Sequence, residues 1–137
     1  MKITKLQAGT MVFFLLVILF ILIAVPLFKK RLIQNHKISN ATITDCSYGG
    51  RTHVGTITSI YNFYYNKKMI DGIAAFNSSE LNFKDAKLLF VGKAFPVAYN
   101  PDNPNNNYLL IRPKDFKKFN YSFPDSLHWI VRYVHSK

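Results

Sequence analysis

Residues 11–28 read MVFFLLVILFILIAVPLF, eighteen consecutive positions with no charge and no polar side chain. In hydrocarbon every backbone N–H and C=O must find its partner within the segment, so such a run is predicted to be a helix. Eighteen residues at about 1.5 Å each give roughly 27 Å, enough to cross the apolar core of a bilayer. Met11, Phe14, Leu19 and Phe28 mark out this predicted anchor, and Pro26 stands near its end, where a kink interrupts little helix. The run is longer than the core of a secretory signal. It is followed by Lys29, Lys30 and Arg31 rather than by a small-x-small cleavage motif, so it reads as a retained anchor.

The charge follows the anchor. Of 18 Lys and Arg against 7 Asp and Glu, six basic residues (Lys2, Lys5, Lys29, Lys30, Arg31, Lys37) flank the apolar run, leaving 12 against 7, a net +5, for the rest. Lys29, Lys30 and Arg31 are the expected contacts to lipid headgroups, each contributing on the order of 1 kcal/mol near an anionic surface. More basic residues follow the span than precede it, which leans toward a cytoplasmic domain; the opposite orientation stays open. The 109 residues after position 28 suffice for one small domain and not two. A single cysteine, Cys46, excludes an internal disulfide framework.

Residues 29–37 are read as a basic juxtamembrane linker and 38–137 as a small β domain with a C-terminal helix. Residues 38–46 are rich in β-branched side chains and lead to Gly49-Gly50, a strand and a turn. Residues 52–65 form a longer strand whose Ile57, Ser59, Tyr61, Phe63 and Tyr65 alternate and are predicted to face a core. Asn66-Lys67-Lys68 is a polar tip, and residues 69–76 return as the second strand of a hairpin. A short helix or irregular crossover is expected over 79–89, then a turn at Gly92-Lys93 and a strand over 94–99. Pro96, lacking an N–H, predicts that this strand lies at an edge or leaves that position unpaired. Residues 100–107 (NPDNPNNN) are dense in turn formers, and 108–111 is a last short strand. Residues 113–119 suggest one or two helical turns. Over 124–134, Leu127, Ile130, Val131 and Val134 make an i, i+3, i+4, i+7 stripe, either packed on the sheet or lying on the membrane.

The residues Gly92-Lys93-Ala94-Phe95-Pro96-Val97-Ala98-Tyr99-Asn100-Pro101-Asp102-Asn103-Pro104, preceded by the Tyr-x-Phe-Tyr-Tyr hairpin at 61–65, carry a resemblance. This stretch resembles a family of small bacterial membrane-anchored β-domains of unknown function, in which a G-K-x-F-P-V-x-Y-x-P-x-N-P segment ends the sheet. The resemblance covers about residues 40–130. It implies a β-barrel or sandwich-like fold and a bacterial origin, and it supplies no catalytic residues.

Reactive constellations are sparse. His36, His53, His128 and His135 share no metal-ligand spacing, and the acids form no pair. Asp125, Ser126 and His128 are triad residue types, but three groups on one helical turn do not take up nucleophile–base–orienter geometry. Cys46 has no basic neighbour in sequence to activate it and reads as a structural thiol. No phosphate loop, GxGxxG or HExxH occurs, and the sequons at Asn40, Asn77 and Asn120 lose their meaning in a bacterium. The expectation is a mainly β, non-enzymatic, single-pass protein of the bacterial inner membrane, without a cofactor. Its partners would be the lipid bilayer and another membrane or envelope protein, as in an envelope-complex subunit or a toxin-neutralising immunity protein. The candidate partner surface is Tyr61, Phe63, Tyr65, Lys67 and Lys68. Aromatics beside lysines on a small barrel also suit single-stranded nucleic acid or anionic lipid, an alternative placed second because alternate aromatics more simply form a core.

Overall fold

The computed structural model describes residues 5–48, 55–78 and 80–134. The expected turn at Gly49-Gly50, the start of the second predicted strand, Ser79, His53 and His135 lie outside these residues. The elements are helix α1 (Lys5–Gln34), strands β1 (Lys37–Tyr48), β2 (Thr56–Tyr65) and β3 (Lys68–Asn77), helix α2 (Phe83–Phe90), β4 (Ala94–Asn100), β5 (Asn103–Leu109), helix α3 (Pro113–Lys118) and a C-terminal 3₁₀ helix (Asp125–Arg132). All strand pairs are antiparallel, in the order β3-β2-β1-β4-β5, and the edge strands β3 and β5 approach each other so that the sheet nearly closes into a barrel.

Helix α1 is long and apolar enough to cross a membrane over Gly9–Gln34, and none of its most apolar window is buried. The helix does not stop at Phe28. Lys, Arg, Leu and Gln are good helix formers, and the helix runs on through Arg31 to Gln34, so most of the predicted linker is helical. Only two residues, Asn35 and His36, separate α1 from β1.

In β2 the period of two holds: Ile57, Ser59, Tyr61 and Phe63 are buried and Tyr65 is half-buried, while Ile60 and Tyr64 point outward. The β2–β3 hairpin turns on Asn66 and Lys67, both with positive φ (48° and 64°). This two-residue connection matches the twist of the strands it joins. In β1 a bulge between Ile43 and Asp45 lets the strand pair with β2 over most of its length and with β4 over its first half.

Strand β4 is internal, between β1 and β5, so Pro96 does not mark an edge. Its carbonyl accepts from Leu110 N (2.8 Å) on the β5 side, and its missing N–H falls on that same side, just past the end of β5. The second part of the expectation, an unpaired position, describes it. The Asn-rich run is mostly strand rather than turn. Only Pro101 and Asp102 form the connection, with Asn100 Oδ1 accepting from Asp102 N (2.9 Å), and β5 begins at Asn103.

The core fills from both sheet faces and from the covering segments. Phe90 of α2 meets Phe76, Phe95 and Trp129 at 5.0, 6.1 and 5.8 Å between ring centroids. Asn82 caps α2, its side chain accepting from Asp85 N. The C-terminal segment packs on the barrel with Leu127, Ile130 and Val134 buried. It is a 3₁₀ helix, in which side chains repeat every three residues rather than 3.6. Val131, assigned to the apolar stripe by α-helical spacing, is therefore exposed.

Candidate functional site

The ends of several elements meet where α1 enters the barrel. Asn35 Nδ2 donates to Asp102 Oδ2 (3.1 Å), and Asn106 Nδ2 donates to the carbonyl of Phe28 (3.1 Å), so the β4–β5 turn rests along the last turns of α1. Leu32 is buried there. The ring nitrogens of His36 lie 2.9 and 3.1 Å from the carbonyl oxygens of Ile33 and Phe119, and its ring meets Phe119 edge-on at 5.1 Å. Tyr65 OH donates to the Pro101 carbonyl (2.9 Å). The tip of the β2–β3 hairpin thus stands at the same end as α1, and Lys67 and Lys68 share that end with Lys29, Lys30, Arg31 and Lys37, all exposed. Between α1 and the β4–β5 turn lies a cleft of about 470 Å³ bounded by Arg31, Gln34, Asn100, Asp102, Asn103 and Asn106.

The five residues expected to form one partner surface separate into inside and outside. Tyr61 and Phe63 are each 1% exposed and belong to the core. The correction is geometric: positions 61 and 63 share the inward face of β2 with Ile57, so their rings are closed to a stacking base. Tyr65 is half-buried against Tyr99 (5.4 Å), and only Lys67 and Lys68 are fully open. The outward face of the same hairpin is apolar instead. Ile60 pairs with Ile73 and Tyr64 with Met69 across the strands, all four exposed, Ile73 at 73%. A polar rung, Asn62 opposite Asp71, separates the two apolar rungs. The alternation of 60, 62 and 64 carried this signal, since the residues left over from a buried set must face out.

Tyr61 closes the barrel from within. Its ring lies over Gly72 of β3, and its hydroxyl donates to Asn107 Oδ1 of β5 (2.6 Å), linking strands that are not neighbours in the sheet. Burial pushes the Tyr61 hydroxyl well above its ordinary 10.0. A group whose folded pKa is raised contributes stability that is complete below its unfolded pKa and is lost as pH rises through the folded one. The thermal midpoint is therefore expected to hold up to about pH 10 and to fall above it. The fall should be shallower for Tyr61→Phe, and an unchanged slope in that variant would remove Tyr61 as its source.

Beside the seam between β3 and β5, a cavity of about 120 Å³ is bounded by Ile73, Phe76, Tyr108, Arg112 and Asp115. Arg112 donates from Nε and Nη2 to the two carboxylate oxygens of Asp115 (3.0 and 2.9 Å), and Tyr108 OH donates to Asp115 Oδ1 (3.0 Å). The hydrogen bond to Asp115 raises the Arg112 guanidinium further above its usual value, and burial raises the Tyr108 hydroxyl. Sequence reading did not single out this triad. Its trace was Pro113 opening a helix with Asp115 two residues on, a carboxylate in a first turn.

Cys46 is buried, its sulfur 3.4 Å from Ser59 Oγ, and burial raises its thiol. Asp45 is held below the usual carboxylate range by its 2.8 Å contact with Lys87. His128 Nε2 lies 3.5 Å from Asp125 Oδ1, both exposed, a surface pair beside Ser126 rather than a buried relay. Among the described residues no group of three or more His, Cys, Asp or Glu is placed to hold a metal ion. Neither a family model, nor a curated protein, nor a solved structure matches the chain.

Proposed function

We propose that this protein is a single-pass, membrane-tethered interaction module, non-enzymatic, whose barrel binds another membrane or envelope protein. The observation that carries the reading is the apolar rung Ile60–Ile73 on the outside of β2–β3. Ile73 is more exposed than any core need explains, since the inward face of the same strands already fills the barrel. Two aliphatic side chains facing each other on the outside of a hairpin offer apolar surface to a partner. The unburied apolar length of α1 supports the anchor. The basic residues after it support a domain on the cytoplasmic side of a bacterial inner membrane. An envelope-complex subunit and an immunity-like protein both fit such a module.

A photo-crosslinking side chain at Ile73 or Ile60, in the full chain in its native membrane, is expected to give one discrete protein adduct. The same side chain at Ser126, exposed on the C-terminal segment, should give none. Equal labelling at all three positions, or none at any, would overturn the reading. Nucleic acid is the weaker alternative, since the two rings it would need first, Tyr61 and Phe63, are inside.

A further inference from the structure

The cleft between α1 and the β4–β5 turn continues down the helix. A second groove, of about 180 Å³, is lined by Phe20, Ala24, Leu27, Phe28 and Arg31, one face of α1. Phe28 and Arg31 line both spaces. The upper space is bounded mostly by residues with polar side chains and the lower mostly by apolar ones, and Arg31 stands where they meet. Ala24 is the small residue between Phe20 and Phe28 one turn to either side, so it makes a notch on the face. Arg31 lies three residues past the apolar run, about 4.5 Å further along the axis, the level of lipid phosphate if the run spans the hydrocarbon.

From this arrangement we infer a site for one phospholipid with a zwitterionic, primary-amine headgroup, of the phosphatidylethanolamine type. The inference rests on the anchor reading above. Arg31 has no ion-pair partner among the described residues, and a guanidinium presents paired donors that match phosphate oxygens. Across the same cleft stands Asp102, which receives one hydrogen bond from Asn35 at Oδ2. The lining itself holds one cation, Arg31, and one carboxylate, Asp102, which suits a headgroup carrying both charges. A primary ammonium has three donors for Asp102 and the carboxamide oxygens near it. A choline headgroup has none. The side chains of Asn103 and Asn106 supply further polar contacts at the cleft wall, and an acyl chain follows the notch at Ala24. The volume of the cleft falls within the usual ~300–1,000 Å³ of small-molecule sites.

The test uses the full chain in vesicles of phosphatidylcholine, of phosphatidylethanolamine with phosphatidylcholine, and of phosphatidylglycerol with phosphatidylcholine. Flotation with the vesicles reports the anchor. Lipids retained on gentle detergent extraction are then counted by native mass spectrometry. Phosphatidylethanolamine is expected to be retained at one equivalent, about tenfold over phosphatidylcholine, and R31Q should lower its retention by about tenfold. D102N keeps an acceptor for Asn35 and should abolish the preference for the primary amine while leaving some lipid bound. A24F should lower retention of every lipid without touching the headgroup cleft. R132Q, on the far segment, should change nothing. Failure to float overturns the anchor and the lipid site together. Flotation with equal retention of all three lipids, or with retention indifferent to R31Q, leaves the anchor standing and overturns the site. Preferential retention of phosphatidylglycerol overturns the headgroup assignment.

Discussion

Replacing Asp115 with alanine is expected to lower stability by about 3–5 kcal/mol, the usual consequence of removing one partner from a buried charge pair. Asp115 is 4% exposed. Its carboxylate accepts from the Arg112 guanidinium, from Arg112 N (2.9 Å) and from Tyr108 OH. The substitution therefore leaves a guanidinium without its anion and two further donors without an acceptor. It also takes the negative charge from the first turn of α3, where that charge faces unpaired backbone N–H groups. The thermal midpoint of the full chain in micelles should fall by about 12 °C or more, taking roughly 4–8 °C per kcal/mol for a domain of this size. Asp115→Asn keeps the shape and one acceptor and should cost less. Tyr108→Phe removes one donor and should cost only about 1 kcal/mol. A midpoint unmoved by Asp115→Ala would show that the network contributes nothing net.

Gly72→Val is expected to be nearly as damaging, at about 3 kcal/mol from overpacking and the loss of one buried hydrogen bond. A Cβ at position 72 would stand inside the ring of Tyr61. That ring cannot swing aside freely, because it is buried and its hydroxyl is fixed to Asn107 at 2.6 Å. The measurement that isolates this cause is a double-mutant cycle. With Tyr61→Leu already made, adding Gly72→Ala should cost much less than it does alone. Simple additivity of the two substitutions would mean that the glycine serves something other than the tyrosine.

What could be read in the chain was local. The inward set of β2 and the hairpin depend on residues adjacent in sequence, and both appear where the alternation and the turn chemistry put them, except that Lys68, expected in the tip, already belongs to β3. The mainly β class followed from the same strand and turn patterns, whereas the barrel or sandwich form was only what the resemblance implied. The Asn-rich run resisted because its partners are distant. Asn106 reaches back 78 residues to Phe28, and Asn107 receives Tyr61 from 46 residues away. Residues with weak strand propensity are held extended there by tertiary bonds, which no propensity scale contains. The edge alternative at Pro96 failed for a related reason. Its lost N–H falls beyond the end of β5, a fact of register that the proline alone does not reveal. Val131 left the predicted stripe because the segment winds at three residues per turn, and apolar spacing over so short a piece does not distinguish 3₁₀ from α. The outward rungs and the cleft beside α1 were hidden differently: one is the complement of the core pattern, and the other exists only where α1 lies beside the β4–β5 turn.

The two-residue passage from α1 to β1, with the β4–β5 turn resting along the helix, gives the barrel a compass bearing. Whatever settles against one side of α1 meets a fixed set of barrel strands beyond the helix end. A rotation of the helix about its own axis sweeps the Ile60–Ile73 rung through the same angle. The direction the barrel faces around the axis of α1, a quantity a slack tether would erase, is thereby written into the chain.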